Sequence, residues 1–416
     1  MKHEFGFIPV ASSLLTESNL NQMLRDFRPA LENIGGQLLT EKQINQAKPL
    51  VFLIPTGGTE RKILDLLEQR HQKAPRQPAL LITHPGNNSL PAGLEVMASL
   101  QQNHTKGRIF HLHDPNDQAS LQEVQDVSHD LAVHLELTKS RIGIVGTPSD
   151  WLVASSPGPQ IVRRTWGPEV VSISIDRMIE NMDTADKSSI DFLVDELTGA
   201  ALGIHEPAKK ELADSARVYL ALKQVVERYK VDAITLRCFD LVQLHLMTGC
   251  FALSHLNDAG IMAGCEGDLV STIGMLWVNK LFDQIPWMAN PAHIDQKTNR
   301  VLLAHCTVAR NLVHKYRLRS HFESGLGMAI QGQLEHGPVT LLRIGGRSLN
   351  KIWLAEGNII ETSEVEYLCR TQATIELTDD SNVGELLKNP LGNHIVLING
   401  HRADRLRRWW QLLIAD

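Results

Sequence analysis

Cysteine is sparse and nowhere paired at close spacing. The five in 416 residues, Cys238, Cys250, Cys265, Cys306 and Cys369, form no CxxC, so neither a disulfide framework nor a thiolate zinc site is expected. Charge of one sign is not in large excess either: 41 Lys and Arg stand against 47 Asp and Glu, a formal net charge of −6. The basic residues are scattered apart from Arg402, Arg405, Arg407 and Arg408, which read as the solvated face of a terminal helix. Nucleic acid is therefore not an expected partner. No apolar run reaches the length of a membrane span, and Met1-Lys2-His3-Glu4-Phe5-Gly6-Phe7 lacks the apolar core of a secretory signal. The expectation is a cytoplasmic protein without membrane association. Nucleotide motifs are missing as well. Thr56-Gly57-Gly58-Thr59 has no lysine and neither the GxxxxGK[ST] nor the GxGxxG spacing. Small residues at such a strand-to-helix turn can still present backbone N–H groups to a substrate oxygen, which makes Thr56, Gly57 and Gly58 candidate substrate contacts.

What is present is an ordinary globular composition, 43% apolar and 21% charged, over a length that calls for two or three domains. Up to about residue 135, short apolar runs alternate with amphipathic stretches. Leu50–Ile54, Ala79–Ile82 and Arg108–Leu112 read as buried parallel strands, each followed by turn residues and a helix. The same βαβ texture resumes at Arg141–Gly146 and continues through Val170–Ile175 and Val231–Leu236, with a long helical region over 188–228. After about residue 290 the helices give way to strands separated by glycine turns, ended by a helix containing Trp409 and Trp410. The expected fold class is α/β: two doubly wound parallel-sheet domains, 1–138 and 139–289, followed by an antiparallel, barrel-like β-rich domain, 290–416. Ligands of doubly wound sheets bind beyond the C-terminal ends of the strands. That rule picks out Pro55–Glu60, Gly146–Trp151 and Cys238–Asp240, and within them Trp151 as a substrate contact and Asp240 as an acid.

The densest chemistry runs from Asp240 to Asp268. An apolar helix over 241–256, stopped near Gly260, leads to Gly264-Cys265-Glu266-Gly267-Asp268, where a second helix starts at Leu269. Asp268 reads equally as a helix N-cap. Glu266, between a cysteine and a glycine and flanked by apolar sequence, is poorly solvated and needs a partner, which a metal ion or a bound polyol would supply. His305 ends one apolar strand and His394 precedes another. Singly each is a structural histidine; with the carboxylates they favour a hard or borderline divalent ion, Mn²⁺ first and Mg²⁺ or Co²⁺ as alternatives. His321 and Glu323, in His321-Phe322-Glu323-Ser324-Gly325, and Arg343-Ile344-Gly345-Gly346 add polar groups at element ends that could bind hydroxyls.

An ordered set of segments resembles the L-fucose isomerase and L-arabinose isomerase group, and most of all its shorter fucose-isomerase-like proteins. The segments are Thr248-Gly249-Cys250, Leu256-Asn257-Asp258-Ala259-Gly260-Ile261, Cys265-Glu266-Gly267-Asp268, Ala304-His305-Cys306-Thr307, His321-Phe322-Glu323 and Gly392-Asn393-His394. The resemblance implies three-domain subunits assembled as a trimer or hexamer with sites near subunit contacts. It implies a divalent metal held by two acids and a histidine: the acid of the family's Glu-x-Asp segment matches Asp268 or Glu266 and the late histidine matches His394, so Glu266, Asp268 and His394 are the candidate ligands. Asp240 lies in the region of the family's first acid, although Arg237-Cys238-Phe239-Asp240 differs from the longer fucose isomerases. Ile395 and Gly400-His401 stand where the shorter relatives carry a second histidine followed by Gly-Asp.

The expected function is thus a metal-dependent aldose–ketose isomerase of a small sugar, working through a cis-enediol. Glu266 is the leading base of raised pKa, Asp268 and His394 are metal ligands, Asp240 is a ligand or second base, and His305 is a ligand or hydroxyl contact. The rivals are a non-catalytic cytoplasmic sugar-binding protein and a metal-free sugar epimerase or lyase.

Overall fold

The computed structural model describes residues 5–45, 48–73 and 77–415; the first four residues of the N-terminal stretch read above lie outside them. The chain divides into two compact units, residues 1–136 with 408–416, and residues 137–407.

The first unit is built on five parallel strands: β1 (Phe5–Pro9), β2 (Gly36–Leu38), β3 (Leu50–Leu53), β4 (Ala79–Thr83) and β5 (Gly107–His111), in the order β2-β1-β3-β4-β5. β3 and β4 are buried at every position, which is why their sequences are unbroken apolar runs. Val51, Leu53, Leu80 and Ile82 enter one core, and Leu50, Phe52 and Leu81 the other. Helices therefore cover both faces of this sheet. β1, the helix Glu17–Asn33, which carries Pro29 in its interior, and β2 were not singled out in the sequence. The end of the C-terminal helix Ala403–Leu413 belongs to this unit. Leu412 and Leu413 pack on the core containing Phe5 and Phe7, and the buried Trp409 indole donates to the Asp130 carbonyl at 2.9 Å.

The second unit opens with a four-stranded parallel sheet of β6 (Arg141–Val145), β7 (Glu169–Ile173), β8 (Ala233–Leu236) and β9 (Met262–Gly264), in the order β7-β6-β8-β9. There follow β10 (Trp287–Asp295), β11 (Arg300–His305), β12 (Val313–Arg319), β13 (Ala329–Leu334), β14 (Gly337–Gly345), β15 (Lys351–Glu361), β16 (Thr371–Leu377) and β17 (Ile395–Asn399). Six of these close an antiparallel barrel in the order β10-β11-β16-β15-β14-β17, and β12 and β13 pair separately as a hairpin. The two parallel sheets and the antiparallel barrel are the expected fold class. Among the described residues no helix is long and apolar enough to cross a membrane.

Two local expectations are corrected. The helix expected over 241–256 is two helices, Cys238–His245 and Cys250–Asp258, parted at Leu246, whose φ of 54° is left-handed. Gly249 at the break has no room for a side chain, since a Cβ there would lie 2.6 Å from Leu236. The segment Val170–Ile175 stops being a strand at Ile173, because Ser174 caps a helix by accepting from the Asp176 N–H.

The helix Leu269–Phe282 positions the site. It is buried on nearly all sides: it contacts β8 and β9, and its Gly274 faces Leu342 and Ile344 of β14 and Val396 of β17. A helix enclosed by sheet and barrel must be apolar all round, which is how its sequence reads. Its N-terminus carries Asp268 toward the barrel residues Arg343 and His394.

Candidate active site

The turn Cys265–Asp268 follows β9. Glu266 is left-handed, with φ of 62°, and Gly267 follows at 72°. Such a conformation disfavours a residue with a Cβ, so the turn is held from three sides. The Glu266 carbonyl accepts from the Ser149 N–H at 2.9 Å, the Gly267 N–H donates to the Leu236 carbonyl at 3.0 Å, and the Asp268 N–H donates to the Cys265 carbonyl at 2.9 Å. Gly267 is required here, because a Cβ would lie 2.7 Å from the Thr147 carbonyl oxygen. Backbone strain kept by a surrounding network is a feature of functional sites. The Glu266 side chain, 13% exposed, accepts from the Trp151 indole N–H at 2.6 Å through Oε2.

Asp268 caps its helix as expected, Oδ1 accepting from the Ser271 N–H at 2.9 Å. It also does more. Its Oδ2 accepts from the Ser271 hydroxyl at 2.8 Å and from Arg343 Nη1 at 3.2 Å, and faces His394 Nδ1 at 2.9 Å. Asp268 and His394 are wholly buried. The other imidazole nitrogen, His394 Nε2, is buried without a hydrogen-bond partner among the described residues, and Glu266 Oε1 stands 3.7 Å from it. His305 packs edge-on to His394, ring centroids 5.5 Å apart, with its Nδ1 2.8 Å from the Thr307 hydroxyl.

Burial and charge act in opposite directions on these groups. Burial would raise Asp268, but the Arg343 guanidinium and His394 hold it well below the usual carboxylate range. Burial would lower His394, and the two carboxylates outweigh it and push the imidazole up. Glu266 is shifted down, because His394 and Trp151 overcome its desolvation. This corrects the raised Glu266 expected from burial alone. For His305 burial prevails, aided by the neighbouring His394 and only partly opposed by Glu266, and lowers it to about 4.

The other residues singled out in the sequence are placed unequally. Trp151 stacks edge-on against Phe239 at 4.8 Å, and Phe239 against His321 at 5.9 Å, so an aromatic row leads away from Glu266. His321 is buried and its Nδ1 meets the Ser324 hydroxyl at 3.1 Å; Glu323 is exposed. Asp240 does not join the carboxylates. Its Oδ1 accepts from Arg237 Nε at 2.8 Å, and the same guanidinium binds Asp150. Thr56, Gly57 and Gly58 lie in the first unit after β3, where the Thr56 hydroxyl accepts from the Ser12 N–H and the Gly57 N–H donates to the Asn87 carbonyl. Arg343 and Ser271 were not read as partners of the acids. A charged residue between Leu342 and Ile344 in a buried strand was the available signal.

Carboxylates with an imidazole are suitable donors for Mn²⁺, but the arrangement does not gather three of them. Glu266 and Asp268 address opposite nitrogens of His394, whose lone-pair directions diverge across the ring. Asp268 is already engaged by Ser271, Arg343 and His394, and Asp240 by Arg237. Among the described residues no group of three His, Cys, Asp or Glu side chains has metal-holding geometry. As placed, Glu266, Asp268 and His394 do not converge as a three-ligand centre for the expected divalent ion.

Residues 153–282 match the family model described as the L-arabinose isomerase central domain, a span that includes Glu266 and Asp268 and ends before Arg343 and His394. The chain is also similar to two proteins named sulfoquinovose isomerase. The one from Priestia megaterium (strain ATCC 12872 / QMB1551) is 20% identical over 328 residues, 77% of this chain and 73% of that protein. The one from Alkalicoccus urumqiensis is 20% identical over 277 residues, 62% of this chain and 59% of that protein, less than two thirds of its length. Both likenesses are to the sugar isomerase group, whose enzymes are intramolecular oxidoreductases, and neither singles out a fucose isomerase.

Proposed function

We propose that this protein is a ketol isomerase that interconverts an aldose and a ketose through a cis-enediol, with Glu266 and His394 as its proton-transfer groups. The observation that carries this reading is the buried, unpartnered Nε2 of His394 facing Glu266 Oε1 across 3.7 Å. Both groups are held, one by Asp268 and the other by Trp151.

Glu266, ionised, takes the proton from C2 of the aldose. The C2–H electron pair forms the C1=C2 double bond, and the carbonyl pair moves to O1, which takes a proton from His394 Nε2. His394 then recovers a proton from O2 as C2=O2 forms, and Glu266 returns its proton to C1. Each group ends as it began. Asp268 stays bonded to Nδ1–H throughout, fixing the ring and balancing its charge. The Trp151 face, 48% exposed beside Phe239, gives a sugar ring an apolar platform. His305 and His321 are proposed hydroxyl contacts. Assembly as a homo-oligomer belongs to the same proposal, supported by the exposed Val153, Leu244 and Leu246 on the segments that carry Trp151 and Phe239.

A metal-free epimerase is the second reading, compatible with a site in which, among the described residues, no three-ligand metal centre forms. A panel of aldoses and ketoses in D₂O, followed by NMR with wild-type and Glu266→Gln protein, separates the two. Solvent deuterium entering C1 and C2 with aldose–ketose conversion supports the isomerase, and inversion at one carbon supports the epimerase. Exchange unchanged in Glu266→Gln removes Glu266 from the chemistry. No exchange with any sugar leaves a binding protein.

A further inference from the structure

We infer that the cationic component of this site is supplied by the chain itself, through Arg343, Asp268 and His394, and that no divalent metal takes part. The inference deepens the isomerase reading and rests on it for its activity arms alone. An enediolate needs positive charge near the developing oxyanion. In a metal centre that charge is the ion, and the acids around it are its ligands. Here the place beside Asp268 is taken by a side chain.

Arg343 is 2% exposed, and every arm of its guanidinium is bound. Nη1 donates to Asp268 Oδ2 and to the Ser271 hydroxyl, Nη2 to the Ser155 hydroxyl, and Nε to the Leu391 carbonyl. The backbone is shaped to admit it. Gly392 has φ of 147°, and a Cβ there would lie 2.2 Å from Arg343 Nη2. Arginine keeps its charge at any working pH, so a second cation sharing Asp268 Oδ2 would face a fixed positive neighbour. The Nδ1 proton that joins His394 to Asp268 would also have to leave before a metal bound on that side. On the Nε2 side stand Glu266 at 3.7 Å and the His305 ring, 5.5 Å away between centroids, and among the described residues no three such side chains have the geometry to hold a metal. Arg343 and Asp268 are thus positioning residues. The group that meets substrate is Nε2 of His394, its ring held from behind by Asp268 through Nδ1, and Arg343 offsets the Asp268 charge.

The test begins with the metal alone. Full-length protein stripped on a chelating resin is titrated with Mn²⁺ by calorimetry, as wild type and as His394→Ala. Mn²⁺ heats indistinguishable between the two are expected; a one-to-one site in the wild type that is absent from His394→Ala overturns the inference. Glu266→Gln, on the less buried side, serves as the second comparison where His394→Ala fails to fold. Turnover provides a second arm. Chelator-treated enzyme is expected to keep at least about a tenth of its rate, whereas a Lewis-acid metal would be worth about a thousandfold or more, so a larger loss that Mn²⁺ restores overturns the inference. Asp268→Asn is expected to lower kcat about a hundredfold or more with KM unchanged, because the amide no longer fixes the ring in its working tautomer; kcat equal to wild type refutes the positioning role. Failure of the isomerase reading looks different: no sugar exchanges with or without metal, while the Mn²⁺ titration still tells whether His394 belongs to a metal site.

Discussion

Replacing Arg343 by Met removes a permanent positive charge bonded to a wholly buried carboxylate. Breaking a buried ion pair from one side leaves the other charge uncompensated and destabilises by about 3–5 kcal/mol. Asp268 would keep the Ser271 N–H, the Ser271 hydroxyl and His394 Nδ1, so the lower end, about 3 kcal/mol, applies. Met fills most of the volume vacated by the arginine stem, which limits any added cavity. Because the chain has two compact units, a single whole-chain transition is the wrong measure. The assay is hydrogen exchange by mass spectrometry in a urea series, read on peptides from the helix Leu269–Phe282, where a loss of this size moves the midpoint by about 1 M. Adding Asp268→Asn removes the stranded charge and is expected to recover about half of the loss. An Arg343→Met protein within about 1 kcal/mol of wild type, or a double variant no more stable than the single, would refute the claim that Arg343 offsets the Asp268 charge.

Trp151→Phe keeps the ring beside Phe239 and deletes the N–H that holds Glu266; a donor to a charged acceptor is worth about 1.5–3 kcal/mol, so steady-state kinetics should show kcat down about tenfold or more with the fold unchanged by circular dichroism. Glu266→Gly and Glu266→Ala both abolish exchange, but the glycine variant should be the more stable by about 1 kcal/mol in urea titration, since only it adopts the left-handed turn freely; equal stabilities would remove strain from the account. His134, in the first unit, is pushed down to about 4 by burial from 6.5. Its folded pKa is depressed, so the folded state binds fewer protons, and stability falls as pH drops from about 6.5 to about 4, by on the order of 3 kcal/mol. A His134→Phe protein should lose less Tm between pH 7 and pH 4.5 than wild type, and identical losses would exclude His134 as the cause.

The fold was legible wherever burial leaves a periodic trace. β3 and β4, buried on both faces, are unbroken apolar runs, and several barrel strands are set off by glycine turns, so the fold class followed from pattern. What escaped depends on contacts made across the chain. Leu246 is an ordinary helix former, and nothing local shows that Gly249 must pass within reach of Leu236. The site divides in the same way. Cys265-Glu266-Gly267-Asp268 is a local turn, and the structure brings it together with His305 and His394. Asp240 looked equivalent by position alone, yet Arg237, three residues before it and on the same helical turn, claims it. Arg343 was visible as an oddity in an apolar strand; its partner, 75 residues away, was not.

Glu266 and Asp268 also exchange the standing that sequence suggests for them. A glutamate in apolar surroundings is expected to be the buried, demanding acid, and an aspartate before a helix the solvated cap. Instead Asp268 is the wholly buried one, and it is satisfied: its acceptor positions are taken by Ser271, Arg343 and His394. Glu266 keeps one firm donor, Trp151, and its other oxygen faces His394 Nε2 across a gap too long for a hydrogen bond. A carboxylate with every lone pair committed can orient a neighbour, but it has no acceptor position left for a substrate proton. The acid with an uncommitted oxygen, on a strained turn opposite an unpartnered imidazole nitrogen, is the one free to move a proton, and that difference in commitment is what supports the proposal of Glu266 as the base.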